Sequence, residues 1–280
     1  MCIRDRVDIR LTSPPPPQIV MVLAVEHSKD LIKVLKEFSQ RMPLSAFEFF
    51  SDLALSKVLD HRELKAPFDR RSPFYALLEF DALQVEEAGK AFEVCEKAAW
   101  VDDAVLSQTE NQSRELWQLR EGISESIASY TPYKNDLSVR IEDVPEFLEE
   151  VDTYVTNSYP DFEVCWYGHI GDGNLHLNIL RPEKLSIEKF FELGHEMSPR
   201  IFDLVSNKRG SISAEHGVGL LKKDFLSFSR SDEEIRIMRS IKSIFDPHQI
   251  LNADKLIPVS YTHLRAHETR GNLVCRLLLE

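Results

Sequence analysis

The chain has 280 residues, 43% of them hydrophobic, and a formal net charge of −12. That length allows one large or two modest domains with a real core, and no apolar run is long enough for a membrane span. The acidic balance argues against nucleic acid, which needs a basic face, but leaves small anionic substrates open because they feel only local charge.

Met1–Arg6 (MCIRDR) and Val259–Glu280 share no periodicity with their neighbours. Both resemble translated adapter read-through at the ends of assembled environmental reads, and both are read as non-native. On that reading the chain is a fragment of a longer protein, and Cys2, Cys275, His263 and His267 leave the functional inventory. The four cysteines (with Cys95 and Cys165) have no CxxC or metal-like spacing, which indicates a reducing compartment. No signal peptide is evident. The cytoplasm is expected, with a peripheral membrane position or a eukaryotic mitochondrion as alternatives.

In chain order, Val7–Thr12 alternates weakly and runs into Ser13-Pro14-Pro15-Pro16-Pro17, a semi-rigid linker that makes residues 7–17 a domain boundary. Gln18–Glu26 reads as a strand. Lys29–Arg41 has helical spacing, with Ser28 as its expected N-cap. Strands follow at Leu44–Phe50, Phe74–Phe80 and Val101–Leu106, with helices at Ser51–Leu59 and Val85–Ala98 between them. Strand–helix–strand, twice over, predicts an α+β fold: an antiparallel sheet covered by helices on one face, in a split βαβ, ferredoxin-like arrangement. A long helix is expected over Glu110–Ser129, a strand over Leu137–Ile141, and helices over Val144–Ser158, Ile187–Lys208 and Asp232–Phe245. Residues 18–208 are read as one domain and 209–258 as a helical C-terminal segment.

Trp166–Ile179 (WYGHIGDGNLHLNI) concentrates polar chemistry between strand-like flanks. Asp172-Gly173 suits a two-residue type I′ turn, which would set His169 opposite His176 with Asn178 on the same face. Two imidazoles converging this way could bind zinc, with Glu215 the best third ligand and a fourth position open, as in catalytic sites. A hairpin with partly buried, hydrogen-bonded histidines is the alternative. His216, next to Glu215 and before Gly217, could act as a base near neutral pH, or be a solvent-exposed turn residue. Arg120, Ser124 and Lys134 could grip a carboxylate; surface pairing of Arg120 with Glu121 or Glu125 is the alternative. There is no phosphate loop or GxSxG elbow.

Four stretches in this order, LWQLREGI, GHIGDGNLHLNI, SAEHGVGLLKK and FDPHQILNADKLIP, resemble the C-terminal half of FAD-linked D-2-hydroxyacid dehydrogenases, members of the vanillyl-alcohol-oxidase-like flavoproteins. The resemblance covers about Val7–Pro258. It implies a missing N-terminal domain that holds most of the FAD, of which residues 7–17 are the end, then a cap or substrate domain and a segment returning to the flavin. It further implies that His169, His176 and Glu215 bind zinc and that His216 is the catalytic base. Arg120, Ser124, Lys134, Asn178 and His216 would hold the substrate, and Asn252 would lie near the flavin. The implied reaction oxidises a D-2-hydroxyacid to the 2-oxoacid by hydride transfer to FAD. The partners are then a small 2-hydroxycarboxylate and a separate electron acceptor, and a homodimer is compatible. The isolated chain is expected to be inactive without its FAD-binding domain. Two rivals stay open. A zinc hydrolase using the same His/His/Glu site would need no flavin. A non-catalytic ligand-binding or assembly domain would tolerate loss of His216.

Overall fold

The structure is a computed structural model and describes residues 8–11, 16–253 and 255–257. The segments read as non-native, 1–6 and 259–280, lie outside the described residues, as do Val7 and Thr12–Pro15. Residues 8–11, the rest of the expected first strand, carry no regular structure. The chain divides into two units, Met1–Gly217 and Val218–Glu280.

The first unit opens with β1 (Gln18–Val25), α1 (Ser28–Arg41), β2 (Ala46–Ser51), α2 (Asp52–His61), β3 (Phe74–Asp81), α3 (Val85–Lys97) and β4 (Asp103–Leu106). It continues through α4 (Glu110–Glu121), α5 (Ile123–Ser126), β5 (Tyr133–Ser138), α6 (Val144–Ser158), β6 (Glu163–Gly168), β7 (Asn174–Leu180) and α7 (Ile187–Asn207). All seven strands form one antiparallel sheet in the order β4-β1-β3-β2-β6-β7-β5. The first four strands give the expected split βαβ order, and the last three extend the sheet beyond β2.

Helices cover both faces of this sheet, rather than the one face expected from the sequence. On one side α2, α4 and α5 pack around Phe50, Tyr75, Leu77 and Leu119. On the other, α1 meets α3 and α6, α6 meets α7, and Phe147 of α6 lies edge-on to Trp166 at 6.2 Å. The cause is visible in β1, whose QIVMVLAV is buried from Val20 to Val25 without alternation. A strand apolar on both sides must be sandwiched.

Local signals explain the element ends. Ser51 caps α2 by accepting from Ala54 N, and Thr109 caps α4 through Gln112 N. Ser28 does not cap α1: His27 holds that position without a side-chain bond, and Ser28 Oγ reaches Glu149 Oε1 at 3.2 Å instead. The single helix expected over Glu110–Ser129 is broken at Gly122 into α4, α5 and a 3₁₀ turn, Ala128–Tyr130. Glycine weakens the helix there, and Ser126 Oγ donates back to Gly122 O at 2.8 Å. The strand expected at Leu137–Ile141 is found at Tyr133–Ser138, where it pairs with β7 from Tyr133↔Ile179 to Ser138↔Asn174.

Past α7, Arg209 adopts the left-handed conformation and Gly210 N returns to Val205 O at 2.9 Å. A Cβ on Gly210 would stand 2.1 Å from Ser138 O. Glycine therefore lets the chain close on the end of β5, where Ser211 and Ser138 exchange backbone bonds of 2.8 and 2.9 Å. This contact lays residues 211–217 beside the sheet.

The second unit contains α8 (Gly219–Lys222) and α9 (Asp232–Phe245), the latter started by a capping box of Ser231 and Glu234. Leu226, Ile235 and Ile257 form its small core. Among the described residues no helix is long and apolar enough to cross a membrane.

Candidate active site

One cross-strand row explains where the polar residues gather. Ala24, Tyr75, Phe50, Tyr167, His176 and Asp136 are consecutive register partners on β1, β3, β2, β6, β7 and β5. Directly opposed residues share a face. The row therefore runs from the apolar core under α2 and α4 outward to a polar edge.

His169 and His176 meet at that edge, but not as a type I′ turn would arrange them. His176 is opposite Tyr167, and residues 170–172 form a 3₁₀ turn. Only Gly173 has positive φ, whereas type I′ needs it at Asp172 as well. Asp172 Oδ1 instead accepts from Asn174 N at 3.1 Å, and a Cβ on Gly173 would lie 2.1 Å from Val139 O. The longer loop still brings the imidazoles to a centroid separation of 5.5 Å, at 81° to each other.

Glu215 completes the group. One donor atom from each of His169, His176 and Glu215 lies within 4.8 Å of the others. His169 Nε2 is 3.5 Å from Glu215 Oε1. Two ligands at tetrahedral zinc distances would be about 3.3 Å apart, so that pair is already spaced for an ion and His176 needs a small approach. Asn174 Nδ2 also donates to Glu215 Oε1. Burial pulls the His176 pKa down to about 4, Arg120 adds to the shift, and Asp136 opposes it. The ring is therefore neutral near pH 7, the form that offers a lone pair to a metal. Cys95 and Cys165 are buried and lie outside this donor group, and burial pushes both thiols up to about 12.

His216 sits beside the cluster with its ring 72% exposed and Nδ1 3.9 Å from Asp136 Oδ2. The same carboxylate oxygen accepts from Glu215 N at 2.8 Å and His216 N at 3.2 Å. Its other oxygen is 3.7 Å from His176 Nδ1. Asp136 thus fixes the Glu215-His216 backbone to β5.

Arg120 pairs with neither Glu121 nor Glu125; Glu125 is taken by Arg62. Its guanidinium is buried, lies over Tyr167 at 4.7 Å, and approaches Glu48 Oε2 through Nη2 at 3.0 Å. Burial lowers its pKa and Glu48 opposes the shift, so it stays a cation. Among the described residues Arg120 Nε has no hydrogen-bond partner. A buried donor of that kind is complete only with an acceptor. Lys134 Nζ donates to Ser124 Oγ at 3.2 Å, and Lys134 is the register partner of Asn178. Asn178 is buried and turns Nδ2 to His176 O at 3.2 Å. Burial raises the Tyr167 pKa, while the neighbouring Ser124, Arg120 and Asn178 lower it, so these three side chains gather around one phenol.

A cleft of about 540 Å³ opens on the His169 side, lined by Met42, Phe47, Glu48, Asp172 and Glu215. It does not extend to Arg120 or Lys134. Asn252 belongs to the second unit, where it is exposed and left-handed at φ 47°. Sequence reasoning missed Glu48, Asp136, Tyr167 and Asn174. The available signal for Glu48 was one acid inside the apolar run LSAFEFF.

Comparison with known proteins agrees with the fold. The family of FAD linked oxidases, C-terminal domain, matches residues 14–256. D-2-hydroxyglutarate dehydrogenase of Stutzerimonas stutzeri is 48% identical over 251 residues, covering 89% of this chain and 54% of its own length. The protein of that name from Xanthomonas citri pv. viticola is also 48% identical, with 89% and 53% covered. The chain thus spans about half the length of the curated relatives it matches. Among solved structures, 4-ethylphenol oxidase from Gulosibacter chungangensis shares the fold at a TM-score of 0.60 and 14% identity, over 89% of this chain and 56% of that one. The chain belongs to the FAD-linked oxidases and carries their C-terminal domain.

Proposed function

We propose that this chain forms the substrate and metal wall of a dehydrogenase that oxidises a D-2-hydroxyacid, with 2-hydroxyglutarate the first candidate. The observation that carries the reading is the meeting of a His/His/Glu donor set with a buried arginine whose Nε lacks an acceptor. The 48% identity to two proteins named D-2-hydroxyglutarate dehydrogenase supports the choice of substrate.

Zinc would be held by His169, His176 and Glu215 and would supply Lewis acidity toward a hydroxyl, while FAD would supply hydride acceptance. Arg120 binds the substrate's carboxylate through its free edge, with Glu48 and Tyr167 keeping the guanidinium in place. Lys134, Ser124 and Asn178 orient the rest of the molecule, and a second carboxylate would suit the Lys134 ammonium. His216 takes the proton of the 2-hydroxyl at Nε2, because Nδ1 faces Asp136. Asn252 contributes to flavin binding. The reading includes a cytoplasmic location and a separate electron acceptor.

The test is reduction of the bound flavin in the full-length protein by D-2-hydroxyglutarate, D-malate and D-lactate, with and without chelator. Reduction lost on chelation and restored by zinc supports the reading; indifference to chelation removes zinc from it. Normal turnover by His216→Ala would remove His216 as base. The 280 residues alone are expected to reduce no flavin.

A further inference from the structure

Glu48 lies midway along β2, is 5% exposed, and divides its two oxygens between two functional groups. Oε1 is 2.8 Å from His169 Nδ1, and Oε2 is 3.0 Å from Arg120 Nη2. We propose that Glu48 is a positioning residue shared by the metal site and the carboxylate grip, presenting His169 Nε2 to the ion while holding Arg120 over Tyr167. The proposal rests on the zinc reading of the preceding section.

A neutral imidazole carries one N–H, and the hydrogen bond at one nitrogen decides which nitrogen keeps its lone pair. A carboxylate at Nδ1 selects the Nδ1–H form and leaves the lone pair on Nε2. Nε2 is the atom that faces Glu215. Carboxylates behind ligating histidines orient the ring and raise its basicity, and their loss typically costs 10–100-fold in metal affinity. The second oxygen gives Arg120 a buried counter-charge yet leaves Nε unpartnered among the described residues.

A purely structural role is the competing account. Glu48 is the register partner of Leu77 and two residues from Phe50, both in the apolar core, so packing alone does not call for a carboxylate there. An acid that merely neutralised Arg120 would leave the His169 tautomer and the zinc affinity indifferent to its charge. Those two quantities separate the accounts.

The experiment uses the 280-residue chain and zinc alone. Zinc affinity is measured by competition with a chromophoric chelator for wild type, Glu48→Gln, Glu48→Asp and His176→Ala. Long-range proton–nitrogen NMR of the zinc-free chain reads the tautomer of His169, and thermal melting checks folding. We expect zinc binding by wild type, its loss in His176→Ala, and about 10- to 100-fold weaker binding in folded Glu48→Gln. Glu48→Asp should recover part of the loss, and wild-type His169 should be the Nδ1–H form. Zinc bound by Glu48→Gln with undiminished affinity would overturn the proposal while sparing the zinc reading. An Nε2–H His169 in wild type would do the same, whether or not the variants fold. A wild-type chain that takes up no zinc would remove both.

Discussion

Asp152 gives a pH-dependent test of the face of the sheet turned away from the site. It lies on α6, half-buried, and accepts from Trp166 Nε1 at 2.7 Å. Burial pushes its carboxyl up from the ordinary 3.8 to about 6, and the indole hydrogen bond only partly opposes this. A carboxyl whose folded pKa is raised binds its proton more tightly in the native state. Its contribution is therefore fully present below pH 3.8 and is lost as pH rises through about 6. The span between the two values, at 1.36 kcal/mol per pH unit, is about 3 kcal/mol, an upper bound for a half-buried group. Asp152→Asn keeps an acceptor for the indole and cannot ionise. The variant should match wild type near pH 4 and exceed it at pH 8 by up to about 3 kcal/mol. Urea unfolding followed by tryptophan fluorescence across that range measures the difference. Taking variant minus wild type cancels His176, whose lowered pKa works the other way, removing stability as pH falls from 6.5 toward about 4. A difference that does not vary with pH, or an Asn variant weaker at pH 8, refutes burial as the cause.

Three further outcomes are expected. Gly210→Ala should lower the melting temperature, since its Cβ would meet Ser138 O at 2.1 Å; overpacking of that kind costs about 1–3 kcal/mol. Hydrogen exchange at the Ser138 and Ser211 amides should rise with it, and unchanged protection would show that the bridge does not depend on glycine. Asp136→Ala removes the acceptor of Glu215 N and His216 N, a loss of about 1–3 kcal/mol. Limited proteolysis should then cut within residues 211–217 faster than in wild type. Glu215→Gln should abolish zinc uptake at wild-type stability, read by chelator competition, because its carboxylate is 47% exposed and carries no core packing.

Legibility followed burial. The strand–helix alternation that gives β1 to β4 was readable because strands such as QIVMVLAV and FYALLEF are apolar at all but one position each, and the sheet order follows from split βαβ connections. β5 was misplaced because YKNDLS looks like a loop: four of its six residues are polar, and Lys134, Asp136 and Ser138 share the face of His176. Asp136 was lost with it. The His169/His176 pair was legible from spacing, but its turn was not, since Asp172-Gly173 fits type I′ and a 3₁₀ loop alike. The loop observed is held partly from outside the hairpin, where Val139 N donates to Gly173 O at 3.1 Å.

Glu48 shows why composition could not have found the rest. Its carboxylate is 121 residues from His169 in sequence and 72 from Arg120, and neither neighbour lies on an adjoining segment. What joins them is the pairing of β2 with β6, the one seam where the split βαβ half of the sheet meets the β6-β7-β5 half. That seam puts Phe50 opposite Tyr167, so Glu48, two residues before Phe50, comes level with the chain just past Tyr167, where His169 begins its loop. Arg120 then descends onto Tyr167 from α4, whose apolar side is fixed by Leu116 and Leu119 in the same core. A one-residue slip of β2 against β6 would turn Glu48 to the opposite face, under α1 and α6, and separate all three groups. On the proposed reading, the register of that single strand pair is a functional constraint as much as a structural one.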